Sequence, residues 1–228
     1  MRIERLSLIP GARRARGLAV VIDVLRAFTT AAYVMANGAE RIIPVGRLEE
    51  AFQLKRLHPD WVLMGERDGR RVEGFDHGNS PFEVRDVDFT GRTVIQTTGS
   101  GTQGVVNARG AEEILLGSFV TAGAIIRHIQ RVRPEAVSLV AMGSGGVEPG
   151  VEDELCASYI EGALTGRTPD FEEIKRQIRG APTVAKFLDP AQPQYRVEDL
   201  RMALELDRFD FVLTLEEDAG LHVVRKRL

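Results

Sequence analysis

Short apolar runs recur along nearly the whole chain, each ending in a glycine-rich or charged turn that opens a helical pattern. This rhythm constrains the fold more than any other feature, because it is the signature of strands alternating with helices. Leu18–Ile22, Arg41–Val45, Trp61–Met64, Thr93–Gln96, Glu113–Leu116, Val137–Met142 and Phe211–Leu215 read as strands, and Leu6–Ile9 and Leu221–Val224 carry the pattern in shorter form. Helical spacing predicts Arg26–Asn37, Leu48–His58, Gly101–Arg109, Thr121–Arg131 and Val151–Leu164, with shorter helices near Phe171–Arg179, Pro182–Leu188 and Val197–Glu205. Gly38 ends the first of these and Pro59 the second. Two stretches depart from the rhythm: the polar loop Gly65–Pro81, and Thr165–Leu206, where helical patterns follow one another without a strand. The expectation is one α/β unit over residues 1–228, with a subdivision allowed near 110–140 and a helical segment at 165–206.

Composition narrows the class. With 228 residues, 43% hydrophobic and 28% charged, the chain can bury an ordinary core and does not read as disordered. A net charge of −3 argues against a general nucleic-acid binder. The basic clusters Arg13–Arg16 and Arg225–Arg227 read as solvated loop and tail. The single cysteine, Cys156, excludes a disulfide within the chain and fits a reducing cytoplasm. The start lacks the apolar run of a signal peptide, and no stretch approaches the roughly twenty apolar residues of a membrane span. The expected protein is soluble and cytoplasmic, with neither membrane nor nucleic acid as partner; a homo-oligomer is compatible with all of this.

The junction after Val20–Ile22 carries the densest chemistry. The run ends on Asp23, and Arg26, Thr29 and Thr30 follow at a helix start. Ligands of open α/β sheets sit at the carboxyl ends of strands beside helix N-termini. A carboxylate and a guanidinium there suit a cation and an oxyanion, although helix capping by Asp23 accounts for the same residue. Arg26, Thr29, Thr30 and Tyr33 share one helical stripe, and Phe28, Ala31, Ala32 and Met35 form a small apolar face. This predicts a packing side and a polar side.

Other junctions repeat the theme. Gly65–Arg71 brings Glu66 and Arg67 to a strand end, and Gly74–Pro81 brings Asp76, His77, Asn79 and Ser80, where an ordinary surface loop is the plainer reading. Gln96–Thr102 offers glycines and hydroxyls for an anion nest at a helix start. It has neither the lysine of a P-loop nor the dinucleotide fingerprint. Gly143–Gly146 follows another apolar run and precedes Glu152–Glu154 at a helix start, where the helix dipole alone favours acids. Spacing turns Glu152 and Asp153 toward the protein and Glu154 toward water. Cys156 lies inside a helical pattern with no arginine before Arg167, so it reads as a core residue rather than a phosphatase nucleophile. Leu25 stands where a haloacid-dehalogenase motif needs a second aspartate.

Together these segments resemble the 2-phosphosulfolactate phosphatase family. The likeness rests on Asp23–Thr30, Gly65–Arg67, Gly74–Pro81, Thr97–Thr102, Gly117–Ser118 and Glu152–Ala157, in that order, and spans roughly residues 1–165, with Phe209–Val212 resembling the closing strand. Ser100 and Phe28 depart from the family pattern, which usually has Asn and Thr there, and this bears on the substrate. The resemblance implies a three-layer α/β/α fold, with two unlike α/β parts allowed. It also implies a magnesium-dependent phosphatase that converts (2R)-2-phospho-3-sulfolactate to 3-sulfolactate and phosphate, a step of coenzyme M biosynthesis. We expect Mg2+ on some of Asp23, Glu66, Asp76, Glu152 and Asp153, with Asp23, Arg26, Glu152 and Asp153 in the catalytic group. Arg67, Asn79, Ser80, Thr97, Thr98, Gly101, Thr102 and Ser118 are the expected contacts to a small polyanionic substrate. Which carboxylate is ligand, base or nucleophile stays open. A phosphatase for another small phosphorylated hydroxy acid fits the same residues. So does a non-catalytic binding protein for a phosphorylated or sulfonated acid.

Overall fold

The computed structural model describes residues 1–167 and 170–228, so positions 168 and 169 of the predicted 165–206 helical segment lie outside the described residues. In chain order the elements are β1 (Arg2–Ser7), α1 (Leu8–Arg14), β2 (Gly17–Ile22), α2 (Ala27–Ala36), β3 (Arg41–Pro44), α3 (Leu48–Leu57), β4 (Val62–Arg67), β5 (Arg70–Arg71) and α4 (Pro81–Val84). Then come β6 (Thr93–Thr97), α5 (Gly101–Asn107), β7 (Ala111–Gly117), α6 (Ala122–Val132), β8 (Ala136–Ala141), α7 (Val151–Leu164), α8 (Phe171–Gly180), α9 (Val197–Ala203), β9 (Val212–Asp218) and β10 (Leu221–Arg227). Two 3-10 helices, Phe119–Thr121 and Pro182–Phe187, complete the set. No helix among the described residues is long and apolar enough to cross a membrane.

The strands form one sheet in the order β1-β8-β2-β7-β9-β10-β3-β6-β4-β5. The neighbours β1, β8, β2 and β7 run parallel. So do β3, β6 and β4. The hairpin β9–β10 joins the two groups through antiparallel pairs to β7 on one side and β3 on the other, so the groups run in opposite directions. The stretch at 110–140 lies wholly within the first group. In a flat sheet the two sets of carboxyl ends would face opposite edges. Twist of roughly 20–25° per strand, accumulated over the five steps from β2 to β6, swings one set round toward the other.

Strand alternation sorts the core into layers, as an α/β/α arrangement requires. On β2, Leu18, Val20 and Ile22 join a cluster with residues of α6, α7, α8 and α9. Ala19 and Val21 face the opposite cluster, which holds residues of α1, α2 and α5. Beyond the hairpin, Ile43, Leu63 and Ile95 pack with Ala51 of α3.

Two expectations about elements fail for identifiable reasons. The predicted strand Leu6–Ile9 is divided: Leu6 and Ser7 end β1, and Leu8 and Ile9 open α1. Pro10 is tolerated in the first turn of that helix, where its missing N–H would be an orphan in any case. The predicted polar side of the first long helix does not exist: every residue from Ala27 to Met35 is buried. A helix enclosed on all sides has no solvent face to present. Thr29 Oγ1 donates to the Val24 carbonyl at 2.8 Å and Thr30 Oγ1 to the Arg26 carbonyl at 2.9 Å, so both hydroxyls are satisfied within the local backbone.

Candidate active site

The carboxyl ends of β2, β4, β6 and β8 converge on one cavity of about 260 Å3. Asp23, Leu25 and Arg26 follow β2; Glu66, Arg67, Asp68 and Gly69 end β4 and its turn; Gly99 and Ser100 follow β6. The loop after β8 contributes Gly143, Ser144 and Gly145, and the head of α7 contributes Gly150 and Glu152. Asn79 of the long loop joins them, and Thr183, Lys186 and Tyr195 of the helical segment close the cavity.

Asp23 is 4% exposed. Its Oδ1 accepts a hydrogen bond from the Ala27 N–H at 2.9 Å, so the carboxylate caps α2 and lines the cavity at once. Burial pushes its carboxyl up to about 7; the N–H of Ala27 opposes this, and the Glu66 and Glu152 carboxylates add to it. A side chain at Gly101 would put its Cβ 2.8 Å from Asp23 Oδ2 and 2.7 Å from Ala27 Cβ. Glycine therefore lets α5 start directly against the carboxylate, and Gly101 itself does not line the cavity.

The adjacent acids Glu152 and Asp153 part company. Asp153 is 1% exposed, and its two oxygens accept from the Val24 and Gly143 N–H groups, each at 2.8 Å. It staples the turn after β2 to the loop after β8 and does not line the cavity. Its carboxyl is pushed well above the ordinary range by burial first, then by Glu152 and Asp23. Gly143 at the staple has φ +60°, and a Cβ there would lie 2.0 Å from the Glu148 carbonyl oxygen. Glu152 faces the cavity; burial raises its pKa, while its own N–H and the Lys186 charge pull it back. Its Oε2 is buried without a hydrogen-bond partner. Glu154 turns outward as expected, to Arg5 and to Ser7. Cys156 is fully buried in the core, where burial pushes its thiol up.

Two arginines reach the cavity in different states. Arg26 is 5% exposed; one Nη donates to Asp199 Oδ2 at 2.8 Å and to the Gln194 carbonyl at 2.9 Å, and the other to the Gly69 carbonyl at 3.0 Å. Its charge is met by Asp199, whose other oxygen accepts from Ser80 Oγ at 2.6 Å and from the Phe82 N–H at 3.1 Å. Ser80 therefore caps α4 and holds Asp199 rather than lining the cavity. Arg67 donates to its neighbour's carbonyl at 2.6 Å and to Thr97 Oγ1 at 3.0 Å. Glu66 accepts from the N–H groups of Gly69 and Gly99 and so fixes both turns.

Several expected contacts lie elsewhere. Asp76 Oδ2 accepts from the Leu63 N–H at 2.8 Å and meets Lys55 at 3.3 Å, outside the cavity. Thr97 serves Arg67. Thr98 and Thr102 bond reciprocally, each accepting the other's N–H on its hydroxyl, so they cap a turn instead of lining a nest. Ser118 is fully buried after β7, away from the cavity. Ser100, at the departure from the family pattern, donates to the Gly143 carbonyl at 2.7 Å and accepts from the Gly146 N–H, tying two cavity loops together. Lys186, Tyr195 and Asp199 carry no motif in the sequence, whereas Ser144 lies in the Gly143–Gly146 turn. Among the described residues no three Asp, Glu, His or Cys side chains come together as a ready metal cluster, so the five expected ligands do not form one set.

The family model for 2-phosphosulpholactate phosphatase matches residues 4–218. The chain belongs to this family. A protein of Bacillus subtilis named "Probable 2-phosphosulfolactate phosphatase" is 31% identical over 210 residues, covering 91% of this chain and 90% of its own. A protein of Caldanaerobacter subterraneus with the same name is 33% identical over 212 residues, covering 86% of this chain and 87% of its own. A third of that name, from Caldicellulosiruptor saccharolyticus, is 40% identical over 156 residues, covering 67% and 64%. Family membership agrees with the resemblance read from Asp23–Thr30 and the later motifs.

Proposed function

We propose that this chain is a magnesium-dependent phosphatase that hydrolyses (2R)-2-phospho-3-sulfolactate to 3-sulfolactate and phosphate. The observation that carries this reading is that Asp23, Glu66 and Glu152 line one small cavity with Arg67, Lys186 and the N-terminus of α7, although they do not form a ready three-acid cluster among the described residues. A polyanion beside three carboxylates is repelled unless a cation stands between them. The donors are hard oxygens, Glu152 Oε2 is buried without a partner, and the repulsion of Glu66 and Glu152 on Asp23 is relieved equally by a proton or by a divalent ion. These residues fit Mg2+, which Asp23 and Glu152 would hold together with water. Such an ion supplies neutralisation of phosphoryl oxygens and polarisation of a water.

The chain's own groups do the rest. Gly150 offers no side chain to cap the first turn of α7, so apart from the Glu152 N–H, which meets its own carboxylate, the first N–H groups are open to a phosphoryl oxygen. Arg67 binds a second oxygen. A Glu152 carboxylate oxygen not taken by the ion accepts the proton of the attacking water. The fixed Asp153 and Ser100 contacts keep the loops after β6 and β8 in register with Asp23. The single buried Cys156 accords with a cytoplasmic setting.

Phosphate release from (2R)-2-phospho-3-sulfolactate, measured with Mg2+ and with chelator, tests the reading. Turnover that needs Mg2+ and falls about 10³-fold in Asp23→Asn supports it. Absence of turnover by the unaltered chain, or near-normal turnover in the variant, overturns it.

A further inference from the structure

Three cations line the cavity, and among the described residues only one of them is uncommitted. Arg26 is neutralised by Asp199, and Arg67 spends donors on a carbonyl and on Thr97. Lys186 makes no hydrogen bond and no ion pair among the described residues, although its ammonium lies in the field of Glu152. It is held by stacking instead: Nζ lies 4.6 Å from the Tyr195 ring centroid and 5.9 Å from that of Phe187. Tyr195 is itself placed by the turn after β4. A Cβ on Gly69 would fall 2.4 Å from the Tyr195 ring, and Tyr195 Oη donates to the Asp68 carbonyl at 3.3 Å. Lys186 thus stands on the wall supplied by the helical segment, with none of its three N–H donors engaged among the described residues.

We propose that Lys186 is the specificity-determining residue that receives the sulfonate, the anionic end that is not transferred. The proposal rests on the phosphatase reading above. Planar guanidinium forks match carboxylate and phosphate edges, whereas an ammonium is a compact charge with three donors on a flexible stem. The sulfonate and the phosphoryl group both present three terminal oxygens to such a charge, so it is the element carrying Lys186, the helical segment rather than a strand end, that assigns it to the sulfonate. Carried by a different element from the turns that hold the phosphoryl group, Lys186 separates the two ends of the substrate and rejects a hydroxy acid that lacks the second strong anion.

The test compares (2R)-2-phospho-3-sulfolactate with 2-phospholactate, which keeps the phosphate and carboxylate but has a methyl in place of the sulfonate arm. Lys186→Met should lower kcat/KM on the sulfonated substrate by roughly ten- to a hundredfold, the range of a lost charge-assisted hydrogen bond, mainly through KM. The loss on 2-phospholactate should be at least tenfold smaller, and Lys186→Arg should recover part of the difference. Equal losses on both substrates would place Lys186 at the phosphoryl group or in the fold and overturn the proposal. If the unaltered chain hydrolyses neither substrate, the phosphatase reading fails, and calorimetry with 3-sulfolactate and lactate decides the subsite separately. Binding of 3-sulfolactate in preference to lactate, with the preference lost in Lys186→Met, supports it; no preference, or one that survives the substitution, overturns it.

Discussion

The cavity has a floor and a cover, and they are built on different principles. The floor consists of turns at four strand ends, where Asp23, Glu66, Ser100 and Asp153 each accept or donate to the backbone of a neighbouring turn. The cover is the helical segment from α8 to α9, which reaches the floor through Arg26–Asp199 and through Tyr195 lying on the 66–71 turn. Polar groups on the floor are fixed by many short-range backbone contacts, while those of the cover hang on one buried ion pair and a few rings. The floor is therefore where chemistry is made precise, and the cover is where substrate choice is free to vary.

The strongest way to break this contrast is to cut the ion pair. Side-chain exposure of Arg26 and Asp199 is 4% and 0%, and a buried charge left alone is costly. Asp199→Ala should lower unfolding free energy by about 3–5 kcal/mol, measured by urea denaturation. Ser80→Ala, which removes one hydrogen bond to Asp199 and leaves the charges paired, should cost about 1 kcal/mol. Equal, small losses in both would show that the cover is held by its apolar contacts instead.

A second measurement sharpens the account of the floor. The Asp23 carboxyl sits at about 7 in the fold against 3.8 in the unfolded chain. Between those values the folded protein keeps a proton that the unfolded chain has released, so its stability falls as pH rises and levels off above about pH 7. The full cost is up to roughly 4 kcal/mol. In chelator, Asp23→Asn should match the unaltered chain near pH 4 and exceed its melting temperature increasingly up to pH 7. Added Mg2+ should close that gap above pH 7 by stabilising only the unaltered chain. A gap independent of pH would remove the buried charge from the argument.

The smallest effect concerns Asp76. It joins the Leu63 N–H to Lys55 outside the cavity, so Asp76→Asn should cost about 1 kcal/mol in stability and leave kcat within about twofold. A large loss of turnover would return Asp76 to the metal site.

What could be read from the sequence follows the same division. Asp23, Glu66, Arg67 and Glu152 were legible because each marks a local switch from an apolar run to a charged turn. Glu152 and Asp153 were not separable, since both face inward and only the distant Val24 and Gly143 N–H groups decide which one is consumed. Thr97, Thr98 and Thr102 misled because hydroxyls beside glycines suit an anion and also suit each other, and the local bond won. Lys186, Tyr195 and Asp199 carried no sequence signal. The partner of Asp199 is 173 residues away, and helical patterns alone do not say which sheet face they will cover.

The hairpin β9–β10 has a consequence for how the molecule is made. Every strand of the two parallel groups precedes residue 142, and every residue lining the cavity precedes 196, yet the strands that bridge the groups come from 212–227. On the ribosome both parallel groups emerge before the hairpin that pairs with each of them, so contacts such as Ser100 to the Gly143 carbonyl form the first links between them and the sheet itself is joined later. Completion of the sheet beneath the cavity thus waits for residues 212–227, the stretch whose removal would act most strongly on the yield of active enzyme.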